Sequence, residues 1–141
     1  MSDVITLNTP SGKVTYISPS VKDVLGYLGD PFDKGQFSFF SVGKGYKEED
    51  FLEAVSKAPY CIWIGCHESQ GFAIEEALSC NVPLLVWNTR DMSQEYGGKY
   101  DKIPCTTIPY WDERCGEYFY EQNEFIETYN KFIEKLKEQF P

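Results

Sequence analysis

Apolar residues along this chain fall into two patterns: short unbroken runs, and stripes that recur every three or four positions, with polar segments between them. Cys61-Ile62-Trp63-Ile64 and Leu84-Leu85-Val86-Trp87 are the unbroken kind. A strand reads this way when both faces are covered, as in a parallel sheet packed between helices. Residues 13–17 and 37–42, rich in β-branched and aromatic side chains, predict two further strands.

The stripes predict helices. Ser18, Pro19 and Ser20 make a helix start, followed by Val21, Val24, Leu25 and Leu28 on one face. This segment and the strands on either side of it form a βαβ unit. Glu48, Glu49 and Asp50 suit the positive amino end of a second helix, whose buried stripe is Phe51, Leu52 and Val55 before Pro59. Residues 71–80 predict a third helix. Phe125, Tyr129, Phe132, Ile133, Leu136 and Phe140 recur as a C-terminal helix that packs across the sheet.

Strands alternating with helices at this spacing point to the α/β class. The expected architecture is a single Rossmann-like three-layer domain over residues 1–141, with a mainly parallel sheet and residues 62–64 and 84–86 at its centre. Ligands of such sheets sit beyond the carboxyl ends of the strands. Residues 89–101 are polar, and 103–110 hold two prolines around a short strand, so a long functional or capping loop is expected there.

Composition narrows the partners. The chain has 141 residues, enough for one domain with a real core, and no apolar run approaches the roughly 18 residues that would span a bilayer. A secretory signal is not evident at its start, and a soluble cytoplasmic protein is expected. Five cysteines without CxxC spacing and one histidine predict free thiols and no metal. A net charge of −9 argues against nucleic acid and membrane surfaces, which need fields of Lys and Arg. A small phosphate ligand stays compatible with that charge, because a helix amino end and one or two local cations can hold it. No cofactor is implied.

The informative stretch runs from Gly65 to Ala77, between a buried strand and a helix. Glu68 lies in the strand-to-helix loop and Glu76 about two turns along, so both can face the crevice beyond the strand ends. Gly71 at the helix start allows close backbone approach, and the amides of Gly71, Phe72 and Ala73 make a phosphate seat. A carboxylate further along can accept hydrogen bonds from both ribose hydroxyls. Glu75 is expected to face solvent.

Glu68 and Glu76, with Ser69, Gln70 and Gly71 completing an ESQG version of the motif, resemble the E-x7-E signature of retaining GT-B glycosyltransferases. The likeness continues through Ala77, Leu78, Asn81, Val82, Pro83 and Leu84 to Asn88, and more loosely from Tyr46 to Ile108-Pro109-Tyr110, Gly116 and the last helix. It is similar to small viral and bacterial proteins carrying this motif. The resemblance implies one half of the GT-B fold, the C-terminal nucleotide-binding domain. It further implies Glu68 at the donor sugar, Glu76 at the ribose, and Gly71 and Phe72 at the diphosphate. Gly43, Lys44 and Tyr46 occupy the loop that contacts the base, where Tyr46 can stack, and His67 can touch a phosphate or sugar.

Two departures shape the functional expectation. The Arg and Lys pair that neutralises the leaving diphosphate is replaced by Ser18-Pro19-Ser20, with Lys22 as a weak substitute, and the acceptor domain has no counterpart. The chain is therefore expected to bind a nucleotide-diphosphate-type ligand, a nucleotide sugar or a nucleotide-derived signal, without catalysis. One form of this is a virus-encoded sponge in a host cytoplasm, built as a homo-oligomer. The alternative is the catalytic half of a retaining nucleotide-sugar glycosyltransferase, working with a separate acceptor-domain subunit. Arg90, Asp91, Tyr110, Trp111, Asp112, Glu113 and Arg114 form a polar and aromatic cluster read as anchoring loops to the core.

Overall fold

A computed structural model describes residues 47–64, 68, 70–94 and 99–139, together with the backbone of residues 3–7 and 37–41. The elements are β1 (Asp3–Leu7), β2 (Phe37–Ser41), α1 (Glu48–Lys57), β3 (Cys61–Ile64), α2 (Phe72–Ser79), β4 (Leu84–Trp87), β5 (Gly116–Phe119) and α3 (Phe125–Gln139). They build a five-stranded sheet in the order β2-β1-β3-β4-β5.

β3, β4 and β5 are parallel neighbours, which places the chain in the α/β class as the apolar runs predict. β1 breaks the expected pattern, because it lies antiparallel to both β2 and β3. The predicted strand at 13–17 and the helix beginning near Val21 fall outside the described residues. Residues 103–110 do not form a strand; a single bridge joins Asp91 and Pro104.

Register decides the layers. Cys61 pairs with Leu84 and Trp63 with Val86, so these four residues share one face with Phe51 and Val55 of α1 and Ile74 and Ala77 of α2. Ile62 pairs with Leu85, and together with Ile64 and Phe119 they meet Phe125 and Phe132 of α3 on the opposite face. Helices therefore cover both faces, which is why β3 and β4 carry no polar position. Aromatic contacts close the α3 side: Tyr60 meets Phe132 edge-on at 5.5 Å and Phe119 meets Phe125 at 5.4 Å. The Tyr60 and Tyr129 hydroxyls lie 3.3 Å apart across this layer.

β5 was not legible as a strand. Its Glu117 receives Lys131 and Lys135 of α3 at 3.6 and 3.5 Å, so a charged residue sits in a strand whose outer side is capped by basic side chains. Lys135 also donates to the carbonyls of Glu113 and Gly116 at the start of that strand. Among the described residues, no helix is long and apolar enough to cross a membrane.

Candidate functional site

The carboxyl ends of the parallel strands lie in one row, Ile64 beside Trp87 beside Phe119. Ser41, at the end of β2, shares that row through Asp3 of β1. The loop to α2, the segment after β4 and the start of α1 therefore gather at one edge, where α/β sheets take their ligands.

α2 begins there from Gly71, its N-cap residue, which adopts the left-handed conformation with φ 78°. Gly71 offers no side chain to cap the helix. The first turn of α1 carries Glu48, Glu49 and Asp50 against its positive end, whereas that of α2 carries only Glu75. The amino end of α2 is thus the less compensated of the two, and its leading amides precede the first helical hydrogen bond, from Glu75 to the Gly71 carbonyl at 2.9 Å. A Cβ at Gly71 would meet Ile74 and Pro109 at 3.6 Å. That direction faces protein, so the glycine is required by its backbone conformation and not by room for a phosphate.

Glu76 looks from α2 toward the same edge, because its carboxyl comes within hydrogen-bonding reach of Glu48, the first residue of α1. Burial raises the Glu76 carboxyl above its ordinary pKa, and the hydrogen bond and charge of Glu48 push it the same way. Glu75 is half-buried, against the expectation of a solvent-facing position.

Residues 104–109 cross this edge as a strap. Pro104 bridges Asp91, the Cys105 N–H donates to the Arg90 carbonyl at 3.1 Å, and Ile108 enters the core. The Thr106 carbonyl accepts the Glu68 N–H at 3.0 Å, so the backbone of Glu68 is held by the strap. The strap is fastened by Asn88, whose Oδ1 accepts from the Thr106 hydroxyl at 2.9 Å and the Thr107 N–H at 2.9 Å.

The predicted site residues divide accordingly. Glu68, Gly71 and Glu76 lie at the carboxyl edge, Phe72 is 67% exposed at the start of α2, Gln70 is exposed and Ala73 half-buried. Gly43, Lys44, Tyr46, His67 and Ser69 lie outside the described residues. Glu48 and Asn88 are additions. Glu48 reads in the sequence as a dipole-compensating acid; Asn88 had a signal, since a polar residue directly after an all-apolar strand must find partners when buried.

The polar and aromatic cluster splits between two edges. The Arg90 guanidinium lies 3.6 Å from the centre of the Tyr120 ring, just past the end of β5. Asp112 caps the short 3₁₀ turn Glu113–Cys115 and pairs with Arg114 at 2.7 Å, near the opposite, amino edge. Asp112 is held down to about 2 by its hydrogen bonds with Arg114. Two cavities also open at the amino edge: one of about 330 Å³ beside Asn81, Pro83 and Arg114, and one of about 510 Å³ beside Cys80, Leu136 and Lys137. Neither touches Glu68, Gly71 or Glu76. Among the described residues no three His, Cys, Asp or Glu side chains group as metal ligands.

Comparison of the chain with protein-family models, with curated proteins and with solved structures gives no match.

Proposed function

We propose that the carboxyl edge of the sheet binds a nucleoside diphosphate or a close relative, with its diphosphate at the amino end of α2 and its ribose between Glu76 and Glu48. The meeting of these two carboxyl groups carries the reading. Two carboxyl groups in such contact either share one proton or take donors between them, and the vicinal hydroxyls of a ribose supply two. The amino end of α2, without a side-chain cap, supports the other half of the ligand, because its leading amides and dipole favour a phosphate. The strap holds the backbone of Glu68 at the same edge. With this reading goes a finer description of the fold: a Rossmann-like unit resembling the nucleotide-binding half of a GT-B glycosyltransferase, modified by the antiparallel β1.

Calorimetry of the folded protein with ADP, GDP, CDP and UDP tests the proposal. At least one is expected to bind, and Glu76→Gln is expected to weaken that binding more than tenfold. Unchanged affinity in the folded variant would remove Glu76 from the site.

A further inference from the structure

We propose that Asn88 reads the ligand directly, its side-chain amide donating to an acceptor oxygen of the phosphate chain or of the group attached to it. This contact rests on the nucleotide reading above and adds to it.

Asn88 is the first residue after β4 and only 4% exposed. Its backbone N–H donates to the Phe119 carbonyl at 2.7 Å, which fixes it between the ends of β4 and β5. Its Oδ1 accepts three hydrogen bonds: from the Thr89 N–H at 2.8 Å, the Thr107 N–H at 2.9 Å and the Thr106 hydroxyl at 2.9 Å. An amide oxygen has two lone pairs, so three donors saturate it. Two of those donors are backbone N–H groups, which can face only an acceptor, so the oxygen and nitrogen of this amide cannot be interchanged.

The nitrogen is left over. With Oδ1 turned to the strap, Nδ2 points away from it and bonds no described residue. The fully buried side-chain polar atoms without a partner among the described residues are Trp63 Nε1 and Thr107 Oγ1. Asn88 Nδ2 thus stands as a nearly enclosed donor at the carboxyl edge with no bond to a described residue. A donor oriented by three bonds on its sister atom and left open at a strand end is the kind of polar group that sets ligand orientation in a mostly apolar pocket. Being an uncharged donor, it selects phosphate, carbonyl or hydroxyl oxygens and offers nothing to a cation.

Its place along the edge agrees with that choice. The strap that Asn88 fastens also holds the Glu68 backbone, with the amino end of α2 beyond it, while Arg90 lies two residues on. An oxygen reaching Asn88 therefore belongs to the part of the ligand at or beyond the diphosphate.

Asn88→Asp separates direct contact from fastening, because the variant keeps an oxygen for the two strap donors and the Thr89 N–H and replaces the open N–H₂ by an anionic oxygen. We expect a folded protein, with circular dichroism and melting temperature near those of the wild type, whose affinity for the binding nucleoside diphosphate falls at least tenfold. Thr106→Val removes the hydroxyl's bond to Asn88 Oδ1 and the one it accepts from the Ile108 N–H, and leaves Nδ2 in place; its affinity is expected within about threefold of wild type. If Asn88→Asp binds as the wild type does, the contact is overturned and the nucleotide reading stands. If Thr106→Val loses as much as Asn88→Asp, Asn88 acts only through the strap and the inference is overturned. If the wild type binds none of ADP, GDP, CDP and UDP, the nucleotide reading fails and takes the contact with it. Should Asn88→Asp not fold, amide NMR of the wild type decides. One Asn88 Nδ2 proton is expected to move downfield on saturation with the diphosphate, and an unmoved pair overturns the inference.

Discussion

A Cβ placed on Gly116 would lie 1.9 Å from the carbonyl oxygen of Leu84, its register partner at the start of β4. Gly116 also holds φ 138°, a conformation that side chains rarely adopt. Any substitution must therefore prise β5 from β4 where the pairing begins. Gly71 differs: its φ of 78° is left-handed, but the nearest atoms stand 3.6 Å from its added Cβ. Gly116→Ala is expected to cost about 3 kcal/mol or more, or to prevent folding, and Gly71→Ala about 1–2 kcal/mol. Chemical denaturation of both variants checks the order, and equal losses would contradict it.

Glu76 links binding to stability with opposite signs. Its pKa is raised in the folded chain, so protonation stabilises the fold; that contribution is present at pH below the ordinary value of 4.5 and is lost as pH rises through the elevated one. Near neutral pH the pair with Glu48 then repels. Glu76→Gln should raise the melting temperature of the ligand-free protein at pH 7, by about 1–2 °C as expected for a partly exposed like-charge pair, with a smaller gain at pH 4. The same variant should bind the nucleotide more than tenfold more weakly, the loss of a charge-assisted hydrogen bond worth about 1.5–3 kcal/mol. A variant less stable than wild type at pH 7 would show that the two carboxyl groups do not oppose each other.

Why Glu76 could be placed from the sequence and Glu48 could not is a matter of range. Glu68 and Glu76 belong to one continuous strand-loop-helix segment whose geometry is local. The meeting of Glu48 with Glu76 depends on how α1 packs beside α2, which no periodicity encodes. The same division holds for strands. β3 and β4 are legible because both faces are apolar, whereas β5 hides behind Glu117, whose charge is met by Lys131 and Lys135 from a helix far along the chain. β1 carries the β-branched residues Val4, Ile5 and Thr6 in a row, but its insertion between β2 and β3 reverses direction through pairings that only the assembled sheet defines. Asn88 stands in the sequence as one polar residue after an apolar run, and its three-donor oxygen exists only once residues 104–109 fold back over it.

The amino edge should be silent in binding. Arg114→Ala and Lys137→Ala alter side chains beside the two cavities there, at the opposite end of the strands from Gly71. Both are expected to leave nucleotide affinity unchanged and the melting temperature within about 2 °C, since exposed ion pairs contribute little. Asp112, held at about 2 by Arg114, adds its small stabilisation above its ordinary pKa of 3.8 and loses it as pH falls toward 2. An affinity change in either variant would move the ligand to the amino edge.

Binding and transfer make different demands on the cations of the carboxyl edge. Releasing a nucleoside diphosphate as a leaving group calls for positive charge held against its developing oxyanion, and such preorganised electrostatics are worth several powers of ten in rate. The Arg90 guanidinium instead lies over the Tyr120 ring, just past the end of β5. Among the described residues, the groups gathered at the proposed site, the α2 amides, Glu68, Glu76 with Glu48, and Asn88, include no cation. The purified chain is therefore expected to take up a nucleotide-containing molecule with roughly micromolar affinity or better and to return it intact after heat denaturation. Mass spectrometry of the released small molecules, and an assay for free nucleotide during incubation with nucleotide sugars, read this out. Repeated turnover of a nucleotide sugar by the chain alone, abolished by Glu68→Ala, would show that the edge catalyses transfer and that a cation not yet placed there completes the site.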